Sequence, residues 1–116
     1  MNVFCEQLDG ITVVSVEGEL AVPDSDKFKD FLMQRLENGI IDMVIDFKDV
    51  PAIDSSGISA LLALLQAARR KGGDIRIAST NERIDEVFKQ VGLQHVFKKF
   101  TSRDDGVASF SSMEII

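Results

Sequence analysis

The chain alternates short apolar runs with longer segments in which apolar residues recur every three or four positions. The short runs are typical of strands, and the longer spacing is typical of helices that bury one face. Asp9-Gly10, between the first two runs, is a strong β-hairpin signal. The pattern predicts these elements in order: strands at Val3–Leu8 and Ile11–Glu17, a helix capped by Asp24 or Ser25 and running to about Asn38, a strand at Asp42–Phe47, a helix from the Ser55-Ser56 junction to about Lys71, a strand at Asp74–Ser79, a helix at Asn81–Val91, a short edge strand at Val96–Phe97 and a weak helix at Asp104–Met113.

This order of elements predicts the fold class. After the hairpin, strands alternate with helices, so crossover connections should make several strands parallel and should pack the helices on the sheet. The 116 residues are enough for one modest core and too few for two. We therefore expect a single α/β domain over residues 1–116, with a mixed sheet of four or five strands and helices packed on it.

The second predicted helix has two contrasting faces. At about 100° per residue, one face should pack on the sheet, and its members are Ile58, Leu61, Leu62, Leu65 and Ala68. The opposite face is small and almost uncharged, and its members are Ser56, Ala60, Ala63, Ala67 and Arg70. Two interpretations are open: alanine is simply a strong helix former, or this face is a flat docking surface that begins at the serines.

Charge and composition exclude several classes of partner. The formal net charge is −6 with no obvious basic patch, so nucleic acid is not an expected partner. No run of about 18 apolar residues exists, and the N-terminus lacks a basic start and an apolar segment, so we expect no membrane span and a cytoplasmic location. The single cysteine, Cys5, alternates with Val3 and is predicted to be a small core residue rather than a reactive thiol.

The junction Asp54-Ser55-Ser56-Gly57 is the most unusual segment, and its composition argues against catalysis. A nucleophilic serine needs a base, but the only histidine, His95, is far along the chain. The nucleophile-elbow motif is absent because Ile53 stands where its first glycine would be. Neither a phosphate-binding loop nor a cluster of metal ligands is present. We therefore expect no enzymatic activity, no cofactor and no metal site.

Two roles for the serines remain open from their chemistry. Ser55 or Ser56 can be the N-cap of the second helix. Alternatively, one of them is modified, because the first turn of a helix tolerates the charge of a phosphoryl group. Gly57 would leave room for the backbone of a partner or a nucleotide phosphate, and Asp54 would orient the serine hydroxyl or its Mg²⁺-bound donor.

Over essentially its whole length, the chain resembles STAS domains, and most closely the stand-alone anti-sigma factor antagonists of bacteria. The motifs that carry the resemblance are Gly18-Glu19-Leu20, Val44–Val50, Ile53–Gly57, Gly72-Gly73 and Val87–Leu93. The resemblance implies that Ser55 is phosphorylated, with Ser56 as the second choice, by a partner that is both anti-sigma factor and serine kinase of the GHKL type. ATP and Mg²⁺ would be co-substrates of that kinase only.

The resemblance also implies a switch between partners. The unmodified protein would bind the kinase and so free a sigma factor, and a PP2C-type phosphatase would restore this form. The residues expected at the partner interface are Glu19, Asp54, Ser56, Gly57, Ala60, Ala63 and Ala67. The alternative is a STAS subunit of a larger assembly, such as a lipid-transport complex or a signalling scaffold, that is never phosphorylated.

One position departs from the family pattern. Members commonly carry an acid directly after the Gly-Glu-Leu run, where this chain has Ala21, and the nearest acid is Asp24. This departure bears on how a kinase would recognise the chain, and it leaves room for a divergent partner.

Overall fold

The structure is a computed structural model, and it describes residues 1–111. Within this range the chain forms five strands and four helices. In chain order they are β1 (Asn2–Leu8), β2 (Ile11–Glu17), α1 (Asp24–Glu37), β3 (Asp42–Asp49), α2 (Ser55–Arg70), β4 (Asp74–Ala78), α3 (Glu82–Gln90), β5 (Lys99–Phe100) and α4 (Arg103–Ala108).

The strands form one mixed sheet in the order β1-β2-β3-β4-β5. β1 and β2 are antiparallel, and the turn between them has positive φ at Asp9 (53°) and Gly10 (80°), as a two-residue hairpin turn requires. The other three neighbouring pairs are parallel. The predicted α/β fold with a mixed sheet is therefore confirmed.

Helices cover both faces of the sheet. Alternate residues of β3 point to opposite faces: Met43, Ile45 and Phe47 join the main core with α1, α2 and α3. Val44 instead joins a smaller cluster on the other face, where Val107 of α4 packs. The start of α2 therefore lies on the more thickly covered side of the sheet, next to α1.

The predicted edge strand at Val96–Phe97 is wrong. Phe97 is buried and packs edge-to-face on Phe88, with ring centroids 5.7 Å apart. The fifth strand is instead Lys99–Phe100, which pairs with the end of β4. Burial of the aromatic ring takes precedence over the strand preference of this short run.

The ends of two helices also differ from the prediction. Neither Asp24 nor Ser25 caps α1, because Pro23 occupies the cap position and the carbonyl oxygen of Ala21 accepts hydrogen bonds from both their backbone N–H groups. The last helix ends at Ala108 rather than continuing, and the predicted end at Met113 lies outside the described residues.

Candidate functional site

The segment between β3 and α2 is held by pairing with the chain at Leu20. The backbone N–H of Leu20 donates to the carbonyl oxygen of Ala52 (3.2 Å), and that of Asp54 donates to the carbonyl oxygen of Leu20 (3.3 Å). Leu20 also forms an isolated parallel bridge with Ile53. This pairing brings the Gly-Glu-Leu segment, with the exposed Glu19, to the start of α2.

Asp54 is the N-cap of α2, so the prediction that Ser55 or Ser56 is the cap is wrong. Its Oδ1 accepts hydrogen bonds from the backbone N–H groups of Ser56 (2.9 Å) and Gly57 (3.1 Å) and from the Ser56 hydroxyl (2.5 Å). Its Oδ2 accepts from the backbone N–H of Val22 (3.2 Å). These donors, the Ser56 hydroxyl first among them, lower the pKa of Asp54 below its ordinary value.

The two serines of the junction have different surroundings. Ser56 is half-buried, and its hydroxyl oxygen also lies 2.7 Å from the hydroxyl oxygen of Ser25 on α1. Ser25 is only 3% exposed. Ser55 is exposed in the first turn of α2, and within residues 1–111 its hydroxyl has no hydrogen-bond partner. Of the two hydroxyls, that of Ser55 is therefore the accessible one.

Gly57 is required by packing inside the protein. A Cβ at this position would lie 2.4 Å from the carbonyl oxygen of Leu20 and 2.6 Å from Cγ1 of Ile53. The glycine is buried, so the space left by its missing side chain is filled by Leu20 and Ile53. The expectation that Gly57 leaves room for a partner or a nucleotide phosphate is therefore wrong.

The predicted docking surface on α2 is also corrected by the structure. Ala60 (4% exposed) and Ala67 (6% exposed) are buried in the main core, and Ala63 is half-buried. The face opposite the sheet is not free because α1 packs against it, and small side chains allow the two helices to approach closely. Partner contact through Ala60 and Ala67 is thereby excluded in this fold.

The exposed side of α2 lies about 80° around the helix from the predicted one, at about 100° per residue. Its exposed members are Ser55, Ser59, Gln66, Arg69 and Arg70, and Leu62 and Ala63 are half-buried beside them. We call this set the outer stripe of α2. It begins at the accessible serine, so a partner that reaches Ser55 can also contact this stripe.

Three contacts that position the site were not predicted from the sequence. The first is the Ser25–Ser56 hydroxyl pair, and the second is the bond from the Val22 backbone to Asp54. The third is Asn81, the N-cap of α3, whose side-chain amide donates to the carbonyl oxygens of Val50 (3.3 Å) and Pro51 (3.2 Å). All three join residues about thirty positions apart, and no local pattern signals such contacts.

Cys5 lies in β1, half-buried against the main core. Burial raises the pKa of its thiol above the ordinary value and outweighs the opposing effect of Arg35. A protonated thiol is a poor nucleophile, which agrees with the packing role predicted for Cys5.

Residues 1–111 contain no group of three or more His, Cys, Asp or Glu side chains placed to hold a metal ion. No helix in that range is long and apolar enough to cross a bilayer. His95 is exposed in the segment between α3 and β5.

Comparisons with known proteins agree with the fold. The chain is 25% identical over 107 residues to the anti-sigma-B factor antagonist of Bacillus subtilis, covering 92% of this chain and 97% of that protein. The structure superposes on the anti-sigma factor antagonist SpoIIAA in its unphosphorylated form with a TM-score of 0.84 at 15% identity, covering 98% and 100% of the two chains. For phosphorylated SpoIIAA of Bacillus the TM-score is 0.75 at 15% identity, covering 94% and 99%.

The sequence profile of the STAS domain family matches residues 3–106, which include every strand and helix except the first residue of β1 and the last two residues of α4. The chain therefore belongs to the STAS domain family.

Proposed function

We propose that this protein is an anti-sigma factor antagonist switched by phosphorylation of Ser55. Unphosphorylated, it binds an anti-sigma factor that is also a GHKL-type serine kinase, and a sigma factor is released. Phosphorylation ends the binding, and a PP2C-type phosphatase restores it. The names of the relatives support this role, as does the existence of SpoIIAA structures in both phosphorylation states. We also propose that the protein acts in the cytoplasm.

The observation that carries the proposal is the contrast between the two hydroxyls. A phosphoacceptor must reach the γ-phosphoryl group of ATP bound to another protein, so its hydroxyl must be exposed and free to turn. Ser55 meets this requirement, whereas the Ser56 hydroxyl is bound to Asp54 and Ser25. This contrast favours Ser55 over Ser56.

Release after phosphorylation follows from charge and desolvation. A phosphoryl group adds roughly −1.5 to −2 charges, directly beside the carboxylate of Asp54 and on a chain whose net charge is already −6. The first turn of α2 tolerates this charge because it is the positive end of the helix dipole. A partner surface shaped for a neutral hydroxyl would have to bury the charge unpaired, which is costly. The switch therefore needs no large conformational change.

The partner surface that we propose combines Glu19, Asp54 and Ser55 with the outer stripe of α2. Glu19 is exposed, and pairing of Leu20 with Ile53 brings it to the start of α2. Ala63 remains a proposed partner contact, because it is half-buried beside the exposed residues of the outer stripe. Ser56 and Gly57 support the surface from behind.

The test begins with the unphosphorylated protein used as bait in an extract of its own cells, from which the bound kinase is recovered. Incubation of the pair with ATP and Mg²⁺, followed by mass spectrometry, should place the phosphate on Ser55. Ser55→Ala should bind the kinase constitutively and Ser55→Asp should bind it poorly, both with near-native circular dichroism. Phosphate on Ser56 alone would contradict the assigned site. Binding without any phosphorylation would favour the alternative, a STAS subunit of a larger assembly.

A further inference from the structure

Three side chains at the start of α2 form a short chain of hydrogen bonds whose direction can be deduced. An ionised carboxylate can only accept, so the single proton of the Ser56 hydroxyl is donated to Asp54. The proton between Ser25 and Ser56 must then come from Ser25. The order of donation is Ser25 to Ser56 to Asp54, and the lowered pKa of Asp54 agrees with an ionised end of this chain.

The Ser56 hydroxyl takes part in two hydrogen bonds of this chain, one as donor and one as acceptor. It donates to Oδ1 of Asp54, with the two oxygens 2.5 Å apart, and the Ser25 hydroxyl donates to it with the two oxygens 2.7 Å apart. Turning the Ser56 hydroxyl outward would break both bonds and would leave the hydroxyl of Ser25, a residue that is 3% exposed, without this acceptor. An unsatisfied buried hydroxyl is costly, so the inward position is favoured.

We propose that Ser25 selects the phosphorylation site by holding the Ser56 hydroxyl inward, which leaves Ser55 as the one acceptor. The inference rests on the proposed function and adds a positioning residue to it. Ser25 belongs to α1, so the selection depends on how α1 and α2 pack and not on the junction alone.

The chemistry of transfer shows why the inward position prevents reaction. The serine oxygen must form a bond to the γ-phosphorus of ATP while the bond from that phosphorus to ADP breaks and the hydroxyl proton passes to a base of the kinase. At Ser56 the attacking oxygen is engaged by Ser25, and its proton points at Asp54 rather than at the kinase. The product would also place a phosphate beside the Asp54 carboxylate. Ser55, whose hydroxyl is exposed, meets neither of the first two obstacles.

Removal of Ser25 on a background without Ser55 tests the selection. Ser55→Ala should carry almost no phosphate after incubation with the kinase, ATP and Mg²⁺. Ser25→Ala combined with Ser55→Ala should raise phosphorylation of Ser56 by about fivefold, the effect of losing roughly one hydrogen bond. The matched control is Ser109→Ala with Ser55→Ala, because the Ser109 hydroxyl is likewise hydrogen-bonded but lies beyond the opposite face of the sheet, where it accepts from Arg76 and donates to the carbonyl oxygen of Gly106. Equal phosphate on Ser56 with and without Ser25 would overturn the proposal.

A second measurement needs no kinase and separates this inference from the proposed function. Hydrogen bonds in a chain polarise one another, so the carboxyl pKa of Asp54, measured by NMR, should rise in Ser56→Ala and rise less in Ser25→Ala. It should not change in Ser109→Ala. If the wild-type protein is never phosphorylated, the proposed function fails and this titration still decides the hydrogen-bond chain. An unchanged Asp54 pKa in Ser25→Ala would refute the role of Ser25.

Discussion

The variant Ala67→Glu tests whether α2 packs as the structure shows or as its sequence pattern predicts. The pattern of alanines placed Ala67 on a free outer face, where a glutamate would be harmless. In the fold Ala67 is 6% exposed, in the main core on the helix that packs against α1. The neighbouring Gln66 is exposed on the outer stripe, so Gln66→Glu introduces the same residue one position away.

The expected cost at Ala67 has two parts. The larger side chain must be forced between packed helices, which costs about 1–3 kcal/mol. The carboxylate would also be buried without a partner, and even after relaxation this adds several kcal/mol. The free energy of unfolding should therefore fall by about 4 kcal/mol, a large part of the roughly 5–15 kcal/mol typical of a domain. Gln66→Glu should change it by less than about 0.5 kcal/mol.

Urea denaturation followed by circular dichroism measures both variants. With a slope of about 2 kcal/mol per M, Ala67→Glu should lower the midpoint by about 2 M, and Gln66→Glu should leave it nearly unchanged. Burial raises the pKa of the introduced glutamate, so the loss should shrink as the pH is lowered towards about 4.3, its unfolded value. A midpoint for Ala67→Glu within error of that for Gln66→Glu would refute the buried α1–α2 contact.

Three further predictions concern the site. Gly57→Ala should lower the free energy of unfolding by about 1–3 kcal/mol and shift the amide resonance of Leu20. The reason is that the Cβ of the new alanine would lie 2.4 Å from the Leu20 carbonyl oxygen. Unchanged stability would contradict that contact. The pKa of Asp54 is lower in the folded protein than in the unfolded chain. The ionised carboxylate therefore stabilises the folded protein above about pH 4, and this stabilisation is lost as the pH falls through the folded-state pKa. Thermal midpoints should therefore depend less on pH below about pH 4 in Asp54→Asn than in wild type. Asn81→Ala removes the N-cap of α3 and should cost about 1 kcal/mol in urea titrations, whereas Ser59→Ala on the exposed outer stripe should cost much less.

Local patterns predicted most of the fold because their causes are local. Asp9-Gly10 determines the hairpin through two residues that accept positive φ, and the alternation of strands with helices then makes the remaining strands parallel. The junction motif identified the start of α2 as the candidate site, and the resemblance to STAS domains implied Ser55 as the phosphorylated serine, which the structure finds exposed. The wrong edge strand at Val96–Phe97 shows the limit of such patterns, because the burial of Phe97 depends on Phe88 and not on its neighbours in sequence.

The sequence by itself determined the class of fold and the order of the elements, and it indicated the position of the candidate site, because each depends on residues close together in the chain. Only the tertiary structure decided which side of α2 is free, since periodicity describes one buried face and cannot show that α1 covers a second one at Ala60 and Ala67. The hydrogen bond from Ser25 to Ser56 likewise exists because packing of two helices brings together residues 31 positions apart. The accessibility of a hydroxyl depends on everything packed around it, so the difference between Ser55 and Ser56 became visible only in the folded molecule.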